Sequence, residues 1–132
     1  MKIFNIILKV LLCLILVMPV LGLTGIFPEP TAEMYSTSEA FAFIQLLNKS
    51  QYTMYLMTMV FLASILLIIM DRMALAALAI LPITVNIVAF HLFLDGGLLT
   101  SGAVMGNVLL LLNLYFIWQS RAQYKVLWTK GV

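Results

Sequence analysis

The only histidine of the chain, His91, is followed four residues later by Asp95 and preceded by five by Asn86. A spacing of four puts His91 and Asp95 on one helix face, where the carboxylate can accept from the ring and hold its tautomer. Asn86 and His91 are roughly 140° apart on an ideal helix and read as separate; His91 shares its face with Thr84, Ile87, Val88 and Asp95. Asn107 falls at a depth similar to that of Asn86. An interhelical amide pair, worth about 0.6–2 kcal/mol in a membrane, is the plain reading of those two. A polar pocket open to the outside is the sharper one. No nucleophile with its base, no acid pair and no CxxC is present, and no catalytic residue is assigned. One histidine and one cysteine cannot make a four-ligand structural zinc site, so no metal site is expected. Cys13 lies in an apolar run and reads as a small buried hydrophobe.

These residues must be positioned by a strongly apolar scaffold. The 132 residues are 64% hydrophobic and 9% charged, against about 25% charged in a soluble domain. The mean hydropathy is +1.16. The composition is that of a membrane protein with one domain, 1–132, and its net charge of +2 gives no footing for nucleic acid. A span needs about 20 apolar residues. Four segments meet this, at about 4–23, 52–70, 73–94 and 98–118. The first follows Lys2, but its apolar run exceeds a typical signal core and no A-x-A-like site follows, so it reads as a retained span. The expected fold is all-α: an antiparallel bundle of four transmembrane helices with a short extracytoplasmic interfacial helix between spans one and two.

Tight links at Asp71-Arg72 and Asp95-Gly96-Gly97 make spans two, three and four neighbours. Gly102 and Gly106 form a GxxxG that lets another helix approach, either within the bundle or in a dimer. Lys2, Lys9, Arg72, Arg121, Lys125 and Lys130 gather on one side against Lys49 on the other, which predicts cytoplasmic N- and C-termini. Within the long outer loop, Ser36-x-x-Glu39 reads as a capping box opening a helix over 37–48, too short to span and expected to lie as a lid. Pro82 can kink span three. The tail, 119–132, carries Tyr124, Leu127 and Trp128 among basic residues and is expected along the inner surface.

The stretches "LAALAILPITVNIVAFHLFLD" and "LYFIWQSRAQY" resemble the DoxX-like family of small four-helix membrane proteins. Arg72, Pro82, Asn86, Phe90, His91, Tyr115, Trp118, Arg121 and Tyr124 carry the resemblance, and "QY" at Gln51-Tyr52 stands where the family usually opens span two with G-Y. The chain departs from that pattern at Phe61, where the family often has an acid, and at Thr24, where it often has an asparagine. The resemblance adds Thr24 to the ligand-binding candidates Asn86, His91, Asp95 and Asn107, and it implies a bacterial inner (plasma) membrane. The first functional expectation is a non-catalytic accessory or assembly subunit of a larger membrane complex, with a protein partner besides the bilayer and no cofactor. The alternatives are a membrane subunit of a quinone-linked oxidoreductase, with quinone as cofactor, and a binder of a small lipophilic ligand or lipid between the helices.

Overall fold

The computed structural model describes residues 2–129, and Lys130 of the basic tail lies outside them. All regular structure among these residues is helical. α1 covers Lys2–Gly22, a 3-10 turn Ala32–Met34, α2 Ser38–Ser50, α3 Tyr52–Ile69, α4 Met73–Phe93, α5 Ala103–Gln119 and α6 Arg121–Trp128. α1, α3 and α4 are each long and apolar enough to cross a membrane; a fourth crossing is reached if α5 and α6, bent by 69°, count as one span. The protein is thus built as an integral membrane protein with three to four such helices.

α4 packs most extensively on α5 and next on α3, while α1 lies against α3 and, over a smaller area, against α5. The four helices close a ring in which every neighbour runs antiparallel. Leu12, Leu16, Phe61, Ile80 and Phe116 fill its centre. Phe61 is therefore core. The outer faces are apolar too: Ile6, Ile7, Val10 and Leu14 of α1, Leu62 and Leu66 of α3 and Leu111 of α5 are exposed. Such a surface is suited to a lipid environment and not to water.

Two sets of ties define the ends of the ring. At the basic end, Lys9 Nζ meets Asp71 Oδ1 at 2.6 Å and the Tyr115 hydroxyl donates to Asn5 Oδ1 at 2.7 Å. The Tyr124 hydroxyl donates to the Ala74 carbonyl at 2.8 Å and holds α6 beneath α4. The Lys9 ammonium, hydrogen-bonded to Asp71, holds that exposed carboxyl below its ordinary value. At the other end the Leu23–Thr37 segment and α2 fold over α3 and α4.

Three expectations change here. The fourth long helix starts at Ala103, not Leu98, so the link from α4 spans Leu94–Gly102 rather than three residues. Leu98 and Leu99 look like span by hydropathy, but Gly96 and Gly97 hold positive φ, and Ala103 N–H closes a turn on the Thr100 carbonyl. The lid helix is capped by Thr37 instead of Ser36: the Thr37 hydroxyl oxygen accepts from Ala40 N–H at 3.1 Å. Glu39 has no part in a reciprocal box and accepts from the Ser38 hydroxyl at 3.0 Å. The third change is a buried amide that the depth argument missed. Asn113, fully buried on α5, donates through Nδ2 to the Ala77 carbonyl at 2.8 Å and accepts from Thr84 Oγ1 at 3.0 Å. It joins α5 to α4 on both sides of Pro82, whose missing N–H interrupts the helix ladder.

Gln51 alone links α2 to α3 and sits at φ +56°. A β-carbon is strained there, at a cost on the order of 1 kcal/mol, and glycine is not. Gln51→Gly is expected to raise the thermal unfolding temperature in detergent, by an amount corresponding to about 1 kcal/mol. A lower unfolding temperature would contradict the strain.

Candidate functional site

Asp95 leaves the end of α4 and turns back into the protein, where it is 1% exposed. Its Oδ2 lies 2.8 Å from His91 Nδ1, and its Oδ1 accepts the Ser36 backbone N–H at 2.8 Å. The adjacent Thr37 hydroxyl donates to the Leu94 carbonyl. One carboxylate therefore orients the histidine of α4 and fastens the entry to α2. The glycines of the link make this fold-back possible: Gly97 N–H donates to the His91 carbonyl at 2.8 Å, and a β-carbon on Gly96, at φ +86°, would stand 3.1 Å from Ser36 Cβ. Ser36 also explains the shifted cap, since its own N–H is engaged by Asp95.

His91 is less wet than its place near a helix end suggests, with a side chain 12% exposed. Its ring is wedged between Phe90, at 5.0 Å between centroids, and the glycine face of α5. A β-carbon on Gly102 would lie 3.3 Å from His91 Cε1. One on Gly106 would lie 2.9 Å from Ile87 Cγ2 and 3.7 Å from His91 Cδ2. Both glycines of the GxxxG are thus spent on close approach to α4 within the chain. With Nδ1–H directed at Asp95, a neutral ring leaves Nε2 as an acceptor. No protein group bonds Nε2, and it is not among the sealed unpaired atoms, of which Thr58 Oγ1 is the one found in the described residues.

Beside this pair, under α2 and between α3 and α4, is a cavity of about 800 Å³. Met54, Met57, Val60, Ile83 and Phe90 supply most of its wall, and Tyr35, Thr53, Asn86, His91 and Asp95 supply polar groups. The roof is aromatic: Phe43 of α2 stacks on Phe90 at 5.7 Å, and Tyr35 meets Phe90 edge-on at 6.3 Å. Burial first, and the Asp95 charge second, push the Tyr35 phenol above its ordinary value and keep it a neutral donor. A wider cleft of about 1130 Å³ lies between the end of α1, the Leu23–Pro30 loop and the α2–α3 corner, with Glu29, Lys49 and Gln51 on its rim.

The sequence candidates divide accordingly. His91 and Asp95 form the bonded pair read from their spacing. Asn86 reaches the same cavity although it was read as separate, because the lid turns a broad arc of α4 into one wall. Its expected partner is turned elsewhere: Asn107 Nδ2 donates to the Leu98 carbonyl at 2.7 Å, and Asn86 is exposed with no partner for its amide among the described residues. Equal depth placed Asn86 and Asn107 together, but they point to different sides of the α4–α5 seam. Thr24 also stands apart, exposed at the end of α1 with its hydroxyl donating to the Leu21 carbonyl at 2.6 Å. Tyr35 was missed; its signal was an aromatic residue next to the helix cap. Among the described residues, no three His, Cys, Asp or Glu side chains gather where they could hold a metal ion. No family model, curated protein or solved structure matches the chain.

Gly106→Ala tests the packing that holds His91. Alanine in an exposed helix position ordinarily gains about 0.5–1 kcal/mol over glycine. Here the new methyl meets the stiff, β-branched Ile87 at 2.9 Å, so a net loss of about 1–3 kcal/mol is expected. A stability gain in detergent unfolding would show that the α4–α5 seam is looser than described.

Proposed function

We propose that the chain is a DoxX-like four-span membrane protein that holds a small lipophilic molecule in the cavity beneath α2. The observation that carries this reading is the cavity itself, about 800 Å³ with a largely apolar wall and a few convergent polar groups. That volume and character suit a small-molecule site, for which about 300–1,000 Å³ is usual. The three methionines on its wall, Met34, Met54 and Met57, adapt to varied tails.

The fourth span in this reading is α5. Its 17 residues meet the lower limit of about 17, with Trp118 as an interfacial anchor. Lys2, Arg72, Arg121 and Lys125 share one end of the ring, so the bias of basic residues places that end, both termini and α6 in the cytoplasm. The cavity and its lid then open on the outer side of a membrane such as a bacterial inner membrane. α6 lies along the inner surface, with Val126, Leu127 and Trp128 exposed to lipid and the Arg121 guanidinium stacked 4.4 Å from the Trp118 ring centroid.

Function as an accessory subunit of a larger membrane complex, or in quinone-linked oxidation, would use the same scaffold. A quinone is one lipophilic molecule that the cavity's size admits. The cavity favours ligand binding as the first reading, ahead of an assembly role.

Native mass spectrometry of protein extracted in mild detergent is expected to show one small lipophile per chain. Val60→Trp, which fills the cavity from α3, should abolish that occupancy while the protein still unfolds cooperatively. A wild-type protein that is empty, or a Val60→Trp variant that retains its ligand, would sink the reading. Reporters fused after Met1 and after Val132 should both report cytoplasm, and a label at Ser38 should react from outside.

A further inference from the structure

Resting on the cavity reading above, we infer that the site selects a neutral lipophile bearing a hydroxyl group, an alcohol or phenol, whose O–H donates to His91 Nε2. The polar atoms around the cavity discriminate by what they have left to give. Asp95 is committed on both oxygens, to His91 Nδ1 and to the Ser36 N–H. That commitment makes Nδ1 the donor and Nε2 the acceptor of a neutral ring, so the ring asks for a proton donor. Among the described residues Nε2 has no protein partner, and it is not sealed. Among the described residues the other groups left without a bond there, the Asn86 amide, the neutral Tyr35 phenol and the Thr53 hydroxyl, all offer hydrogens. A hydroxyl donates one hydrogen and accepts another, and it satisfies both kinds of group at once.

Charge excludes the competing classes. Among the described residues no lysine or arginine lines the cavity, and its one carboxylate is buried beside the imidazole. A fatty acid or a phospholipid phosphate would enter next to a negative charge with no cation to receive it, a costly arrangement in low dielectric. A hydrocarbon or an ether would leave the imidazole acceptor without a donor once the ligand had displaced water. The rest of the molecule meets methionine, valine, isoleucine and aromatic side chains, which read size and not sequence of functional groups.

The experiment uses the full chain in lipid nanodiscs and four probes with the same tail: para-nonylphenol, para-nonylanisole, nonylbenzene and para-nonylbenzoate. His91 is the only histidine, so nitrogen-15 histidine labelling reports its two ring nitrogens without ambiguity. Nonylphenol is expected to bind about tenfold more tightly than the anisole or the hydrocarbon, with the benzoate weakest, and to move the Nε2 resonance while Nδ1 stays put. In His91→Asn the amide nitrogen can occupy the place of Nδ1 beside Asp95 while the Nε2 acceptor is gone. That variant should lose the phenol's advantage and keep the anisole's affinity. Equal affinity for phenol and anisole in the wild type, with an unmoved Nε2, would overturn the hydroxyl assignment and leave the cavity reading intact. Tightest binding of the benzoate would overturn the charge argument. If none of the four binds, the cavity reading falls together with this inference.

Discussion

A carboxylate buried at the end of a membrane helix has to be answered by donors, and the half of this protein away from the basic end is arranged around Asp95. Leaving such a group unpaired costs several kcal/mol, more than any single packing contact nearby can return. Two donors from different parts of the chain answer it: the ring of His91, one turn back on α4, and the backbone of Ser36 at the mouth of the lid. The link after α4 must therefore reverse, which Gly96 and Gly97 permit, and Gly102 and Gly106 must leave room for the imidazole. Once Ser36 is fixed, Thr37 caps α2 and bonds the Leu94 carbonyl, so the lid is held at its entry by side chain and backbone together. The aromatic group of Tyr35, Phe43 and Phe90 then covers one side of a half-open cavity between α2, α3 and α4.

The opposite half obeys a different economy. Around the middle and the basic end, polar groups are few, and four of them join different helices. Asn113 ties α5 to α4, Tyr115 ties α5 to α1, Tyr124 ties α6 to α4, and Lys9 ties α1 to the α3–α4 turn. Because lipid matches the apolar outer faces as well as another helix would, these bonds and close glycine contacts supply much of the specificity of the ring. The cavity beneath α2 lies at the end opposite these ties, beside the His91–Asp95 pair.

How much of this was legible in the sequence follows from the range of each interaction. The helices and their order came from hydropathy, and the His91–Asp95 pair from a spacing of four, both local signals. The start of α5 was misplaced because Leu98 and Leu99 are apolar without being helical; Leu99 is fully exposed on the link. The Asn86–Asn107 pair failed because depth along the axis was matched without direction around it. Asn113, seven residues beyond Gly106 on the same stripe of α5, carried the needed angular signal. The bond from Ser36 to Asp95 joins residues 59 apart, and nothing local announces it. The cavity depends on that bond, so Tyr35 and the convergence of Asn86 with His91 were out of reach as well.

Backbone hydrogen exchange across α2 tests the role of Asp95 most directly, because the carboxylate is what fastens the lid. In Asp95→Ala, amides of residues 36–50 should exchange much faster than in the wild type, while those of α3, α4 and α5 stay protected in the same detergent. Unchanged protection of residues 36–50 in the variant would contradict the account, since α2 would then be held by its apolar contacts alone.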